Sequence, residues 1–289
     1  MNKRFLSNVY EGNNALWRYF VVIGSVVIFW GTCAYFLVIG ADDLLTSLAI
    51  DQLVSRLVSG ALPFLCVIIW LAAMVKLLHG RSFHSLINAE AGVHYGRIVQ
   101  GFCLWIVLMM GWTGLDIWLS PQHYHWAFDP GRWFWLLPVS ALLVPIKTSA
   151  EELLFRGYVM QGLRLMTKRP LLLLLMNGVV FALPHLGNPE MLRGSFILGA
   201  LHYFVWGVIF AAITLMDNGL ELALGVHTAH NMFSYLMVGT LDSVVVTPTL
   251  WVQQVPVGPL ASICVLLING AIFYSVFFSR LPRQMSVSS

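Results

Sequence analysis

Residues 147–157 read Lys147-Thr-Ser-Ala-Glu151-Glu152-Leu-Leu-Phe-Arg156-Gly157, and they lie between long apolar runs. Two adjacent glutamates and an arginine are expensive to keep in hydrocarbon, and membrane proteins that retain such groups inside a span generally use them. The surroundings are of that kind. The 289-residue chain is 58% hydrophobic and 10% charged, against roughly 25% charged in a soluble domain, and its mean hydropathy is +0.79. Such a composition cannot cover a water-facing surface. It implies an all-α integral membrane protein.

Outward from that stretch the chain divides into eight apolar segments, each long enough to be read as a span. They cover about 17–41, 57–78, 98–119, 133–165, 171–186, 195–216, 220–239 and 256–279. The first exceeds the ~7–15 residues of a signal-peptide core and is read as retained. Asp42, Asp43 and Asp51 are placed in the loop after it. The fourth is one long helix or a helix kinked near Pro138 and Pro145. Residues 121–131 form a Trp/Tyr/His-rich loop suited to lipid headgroups. One domain, 1–289, is expected.

Orientation follows from the Lys/Arg bias. With a cytoplasmic N-terminus, one side carries Lys3, Arg4, Arg18, Lys76, Arg81, Arg97, Arg164, Lys168, Arg169, Arg280 and Arg283; the other carries Arg56, Arg132 and Arg193. Both termini are therefore expected inside. The four cysteines lie singly in apolar runs without metal or disulfide spacing. No segment is repeated, low-complexity or strongly charged, which argues against a nucleic-acid partner.

Three sets of polar residues fall within spans. In Glu151-Glu152-x-x-x-Arg156, Glu152 and Arg156 are an i,i+4 pair in the better orientation for an ion pair, and Glu151 points about 100° away. One carboxylate can be structural while the other faces a cavity as a general base; an interfacial helix end with a salt bridge reads equally well. In Phe181-Ala-Leu-Pro184-His185, the histidine lies as far after Lys168 as Glu151 lies before it, so a hairpin brings both to one depth. Phe181 can pack on the His185 ring. In His227-Thr-Ala-His230-Asn231, His227 and Asn231 share a face and offer N–H donors of the sort an oxyanion hole needs; helix–helix hydrogen bonding is the plainer alternative. For Asp116 and His202 structural partners are favoured.

These three motifs, in this order on successive spans, resemble the CAAX protease and bacteriocin-processing (CPBP, or Abi) family of intramembrane endopeptidases. The wording Ala150-Glu-Glu-Leu-Leu-Phe-Arg-Gly-Tyr158 and Gly225-Val-His-Thr-Ala-His-Asn231 looks typical of bacterial members. The resemblance covers about 133–239, which would form the catalytic core. It implies a bundle of about eight helices around an intramembrane polar cavity opened toward the cytoplasm. It further implies that Glu151 with His185 activates a water, that His227 and Asn231 stabilise the oxyanion, and that Glu152 and Arg156 brace the site.

Glutamate with two histidines could bind zinc, but the helical His-Glu-x-x-His signature is absent, and no metal or other cofactor is expected. The expected partners are the bilayer and a peptide or membrane-protein substrate, in a bacterial plasma membrane. The alternatives are a non-proteolytic binding or immunity protein of the same fold, and a transporter; the latter is disfavoured by the lack of an inverted repeat.

Overall fold

The computed structural model describes residues 5–47, 52–90, 92–192, 195–241 and 243–279. Helices dominate: α1 (Leu16–Ser47), α2 (Gln52–His79), α3 (Tyr95–Leu119), α4 (Pro130–Glu152), α5 (Met160–Met166), α6 (Pro170–Ala182), α7 (Phe196–Asp217), α8 (Glu221–Leu236) and α9 (Pro259–Phe277). This is the polytopic all-α architecture that the composition requires. Among the described residues, six helices are long and apolar enough to cross a membrane, and Pro170–His185 is a shorter apolar helix.

Two of the eight expected spans thus come out short. The helix at the fifth ends at Ala182 in a 3-10 turn, Leu183–His185, because Pro184 has no N–H to continue the ladder. The one at the seventh, α8, has 16 residues and leads into a strand. α1 also runs past its expected end and takes in Asp42 and Asp43, which were placed in a loop. Asp51, Lys3, Arg4, Arg193, Arg280 and Arg283 lie outside the described residues.

The fourth segment is helical from Pro130 to Met166. It passes through Pro138 and Pro145 without a break in its assignment. The irregularity falls later: residues Leu153–Val159, directly after the two glutamates, form a π-helical turn. Such wide turns concentrate at functional sites. Asn177 Nδ2 donates to the Phe155 carbonyl at 2.8 Å from the neighbouring α6, so this widened ladder keeps its polar atoms engaged.

Close helix contacts depend on small residues, as is usual where lipid removes the hydrophobic drive between helices. α3 lies along α8 and α6 along α7. A Cβ on Gly101 would stand 2.5 Å from the Leu222 carbonyl oxygen, and one on Gly225 would meet the α3 backbone at Ile98 and Phe102. A Cβ on Gly207 would be 2.7 Å from the Cα of Gly178.

The loops at one end pair into a three-stranded sheet, β1 (Tyr124–Trp126), β2 (Val238–Thr240) and β3 (Trp251–Gln253), in the order β1-β3-β2. Hydropathy does not reveal strands of three residues. The aromatic loop expected at 121–131 supplies β1. Tyr124 hydrogen-bonds Asp116 at the end of α3 and accepts from Gln253 Nε2 at 2.8 Å. Burial and then the Asp116 carboxylate push the Tyr124 phenol well above its ordinary range, so the hydroxyl keeps its proton.

Candidate active site

The two glutamates end α4 and point to different places. Glu152 is fully buried, and its Oε1 accepts from Arg156 Nη1 at 2.9 Å. The guanidinium also donates to the Gly207 carbonyl and lies over the rings of Phe181 (4.2 Å) and Phe210 (4.8 Å). It is therefore held by a carboxylate, a backbone oxygen and two aromatic faces, which together replace water around the charge.

Glu151 instead lines a cavity of about 670 Å³. Its Oε2 lies 3.9 Å from His185 Nε2 and 3.7 Å from His227 Nε2. The short α6 makes this possible, since it places His185 at its tip, level with Glu151. His185 Nδ1 is 2.8 Å from the Phe181 carbonyl. A carbonyl only accepts, so Nδ1 carries the hydrogen and Nε2 presents a lone pair toward Glu151. Phe181 packs on the ring as expected, at 4.6 Å between centroids.

His227 bridges the two glutamates. Its Nδ1 donates to Glu152 Oε1 at 2.7 Å while Nε2 faces Glu151. Asn231, one turn further along α8, lies on the same cavity wall. Lys147, one turn before Glu151, is also on that wall, with its Nζ 5.5 Å from the Phe64 ring. Glu151, Phe181, His185, His227 and Asn231 line this cavity, and Glu152 and Arg156 lie directly behind it.

Other residues were not foreseen. Tyr203 also stacks on His185, at 4.6 Å and 26°. Phe210 stacks on His227 at 4.8 Å and 23°. Both come from α7, where aromatic residues read as ordinary lipid-facing or core positions; only the adjacent pair His202-Tyr203 hinted at a polar lining. His202 itself accepts from Trp206 Nε1 at 3.1 Å, and Asp116 is bonded by Tyr124. His230 packs on the Trp206 ring. Among the described residues, no group of three or more His, Cys, Asp and Glu side chains is arranged to hold a metal ion.

The sequence is similar to known proteins. The profile of the family described as "Type II CAAX prenyl endopeptidase Rce1-like" matches residues 130–233, which contain all three motifs. A Bacillus subtilis (strain 168) protein, "Uncharacterized protein YyaK", is 34% identical over 249 residues, 81% of this chain and 82% of that protein. The chain belongs to the Rce1-like family. No solved structure matches it. The Rce1-like match makes the chain one of a family of CAAX-type membrane proteases. It also begins at α4 and ends on α8, so the Rce1-like segment is the part of the bundle that carries the glutamates and the histidines.

Proposed function

We propose that this protein is an intramembrane glutamic endopeptidase whose catalytic core is residues 133–239 of a single transmembrane domain, in a bacterial plasma membrane. One observation carries the reading: the Nε2 atoms of His185 and His227 converge on a single oxygen of Glu151 at the foot of a cavity. A water touching that oxygen and the His185 lone pair has both hydrogens accepted, which leaves its own lone pair directed at substrate.

In the step, the water oxygen bonds to the scissile carbonyl carbon and its proton passes to Glu151. The carbonyl π pair moves to oxygen, which faces Asn231 Nδ2 and His227 Nε2. Collapse breaks the C–N bond, and the proton held by Glu151 goes to the departing amine. His227 can donate to the oxyanion only as the doubly protonated ring, because its Nδ1 hydrogen is already given to Glu152. Arg156 holds Glu152, the acceptor of the Nδ1 hydrogen, in place beside the ring.

The test is quantitative proteomics of a Glu151→Gln strain beside wild type. One uncut precursor should accumulate while the variant protein reaches normal abundance. Unchanged processing at normal abundance would point to a binding or immunity protein instead.

A further inference from the structure

The cavity is built from one half of the bundle. Its lining begins at Trp105 on α3 and continues to Leu119; on α9 it runs from Pro259 to Asn269, on α7 from Gly199 to Phe210 and on α8 from His227 to Tyr235. Each stretch lies toward the end of its helix that meets the three-stranded sheet. Tyr124, Val244 and Gln253 belong to the rim, and Val244 is 54% exposed.

The other end holds a separate cavity of about 490 Å³ beside Asn88, Arg97, Asp217 and Glu221, which shares no lining residue with the first. Beneath Glu152, the buried side chains of Leu86, Leu153, Tyr158, Met160 and Leu220 form a continuous apolar floor. Below it, Arg81 is hydrogen-bonded to Ser85, Tyr19 and Gln161. From this other end, Glu151 is roughly 22 Å along the helix that finishes at Met166, at 1.5 Å per residue.

Charge distinguishes the two ends. Arg18, Lys76, Arg97, Arg164, Lys168 and Arg169 lie at the end away from the rim, whereas among the described residues Arg56 and Arg132 lie at the end with the rim. A Lys/Arg excess marks the cytoplasmic side. Exposed aromatic residues suited to the headgroup layer occur at both ends, Trp118, Trp126, Phe134 and Trp135 at the rim and Trp17 and Tyr95 at the other, so the charge bias alone sets the orientation.

We propose that the cavity opens on the non-cytoplasmic face, and that the substrate is an exported or membrane-anchored polypeptide whose scissile segment lies on that side. This rests on the reading of Glu151 as the reactive carboxylate. It reverses the opening toward the cytoplasm implied by the family resemblance, and it removes prenylated cytosolic C-termini from the substrate class. A cytosolic tail would meet the packed floor; an extracytoplasmic segment next to a membrane anchor meets the open rim.

The experiment is single-cysteine labelling of the full chain, with Cys33, Cys66, Cys103 and Cys264 replaced by alanine and one cysteine returned. A membrane-impermeant maleimide added to intact cells should label Val244→Cys several-fold more strongly than Lys168→Cys, and lysis should equalise the two. The reverse pattern overturns the proposal. Should the cysteine-free chain fail to accumulate, fusions at the C-terminus of the unaltered protein decide the matter. A fluorescent GFP fusion supports the orientation, and an active alkaline phosphatase fusion overturns it. Outside labelling of Val244→Cys together with full cleavage by Glu151→Gln would uphold the orientation and overturn the catalytic reading alone.

Discussion

Two nests of buried polar side chains lie on either side of the π turn, and they differ in how closely their polar atoms approach one another. Toward the end away from the rim, His79 bonds the Asn13 carbonyl (2.6 Å) and the Tyr158 hydroxyl (2.7 Å). Gln161 donates to the Ser85 carbonyl, and Asn8 donates to the carbonyls of Ser85 and Asn88. These contacts are direct hydrogen bonds that fasten the N-terminal 3-10 turn and the α2–α3 connection to the bundle. Toward the rim, Glu151 faces two imidazoles at 3.7 and 3.9 Å, beyond direct bonding distance and next to a cavity. Polar burial alone therefore does not mark chemistry. What separates the nests is spacing that admits another molecule.

The strongest attempt to break that contrast is Glu151→Gln, which should lower cleavage by about 10²–10⁴-fold, the usual worth of a positioned general base, with thermal unfolding in detergent unchanged. A loss of stability as large as the loss of activity would make the rim nest structural too. Arg156→Met should cost about 3–5 kcal/mol of stability, because it strands the buried Glu152 charge. A fall in Tm with normal expression of Arg156→Lys would sharpen the assignment to charge pairing. Tyr203→Leu removes a stacking partner worth about 0.5–1.5 kcal/mol. Cleavage should fall about 2- to 10-fold through kcat, and an unchanged rate would mean that His185 is positioned by Phe181 and its carbonyl alone. The mildest is Tyr158→Phe in the nest away from the rim: a stability loss of about 0.5–1.5 kcal/mol for one hydrogen bond, with no effect on kcat. Any kcat effect there would couple the two nests.

Much of this could be read from the residues. The positions of the helices follow from apolar runs, and the expected pairing of Glu152 with Arg156 is met although Arg156 lies inside the π turn. The depth match between Glu151 and His185 across Lys168 is also met. What escaped has physical reasons. The π turn has no local sequence signature: its Phe155 carbonyl accepts from Met160 N–H and also from Asn177 on another helix. Tyr203 and Phe210 are aromatic residues in an apolar helix, which hydropathy treats like lipid-facing neighbours. The polar nest around Arg81 is assembled from segments as distant as Asn8 and Gln161, and Arg81 reads along the chain as one more cytoplasmic charge. The sheet owes its register to long-range pairing between loops 126 and 251.

The shortness of α6 bears on the lipid as well as on the site. From Pro170 to His185 the helix rises roughly 24 Å, less than the ~30 Å thickness of a bilayer's hydrocarbon. Its outer face, with Leu171, Leu172, Leu175, Val179 and Leu183, is turned out of the bundle. Lipids there must compress to match it, at a cost of fractions of a kcal/mol per ångström. A bilayer thinned to match on the flank nearest His185 would leave a membrane-anchored substrate less hydrocarbon to cross. Reconstitution in lipids of graded acyl length would show this as faster cleavage in thinner bilayers, and a rate indifferent to chain length would dismiss it.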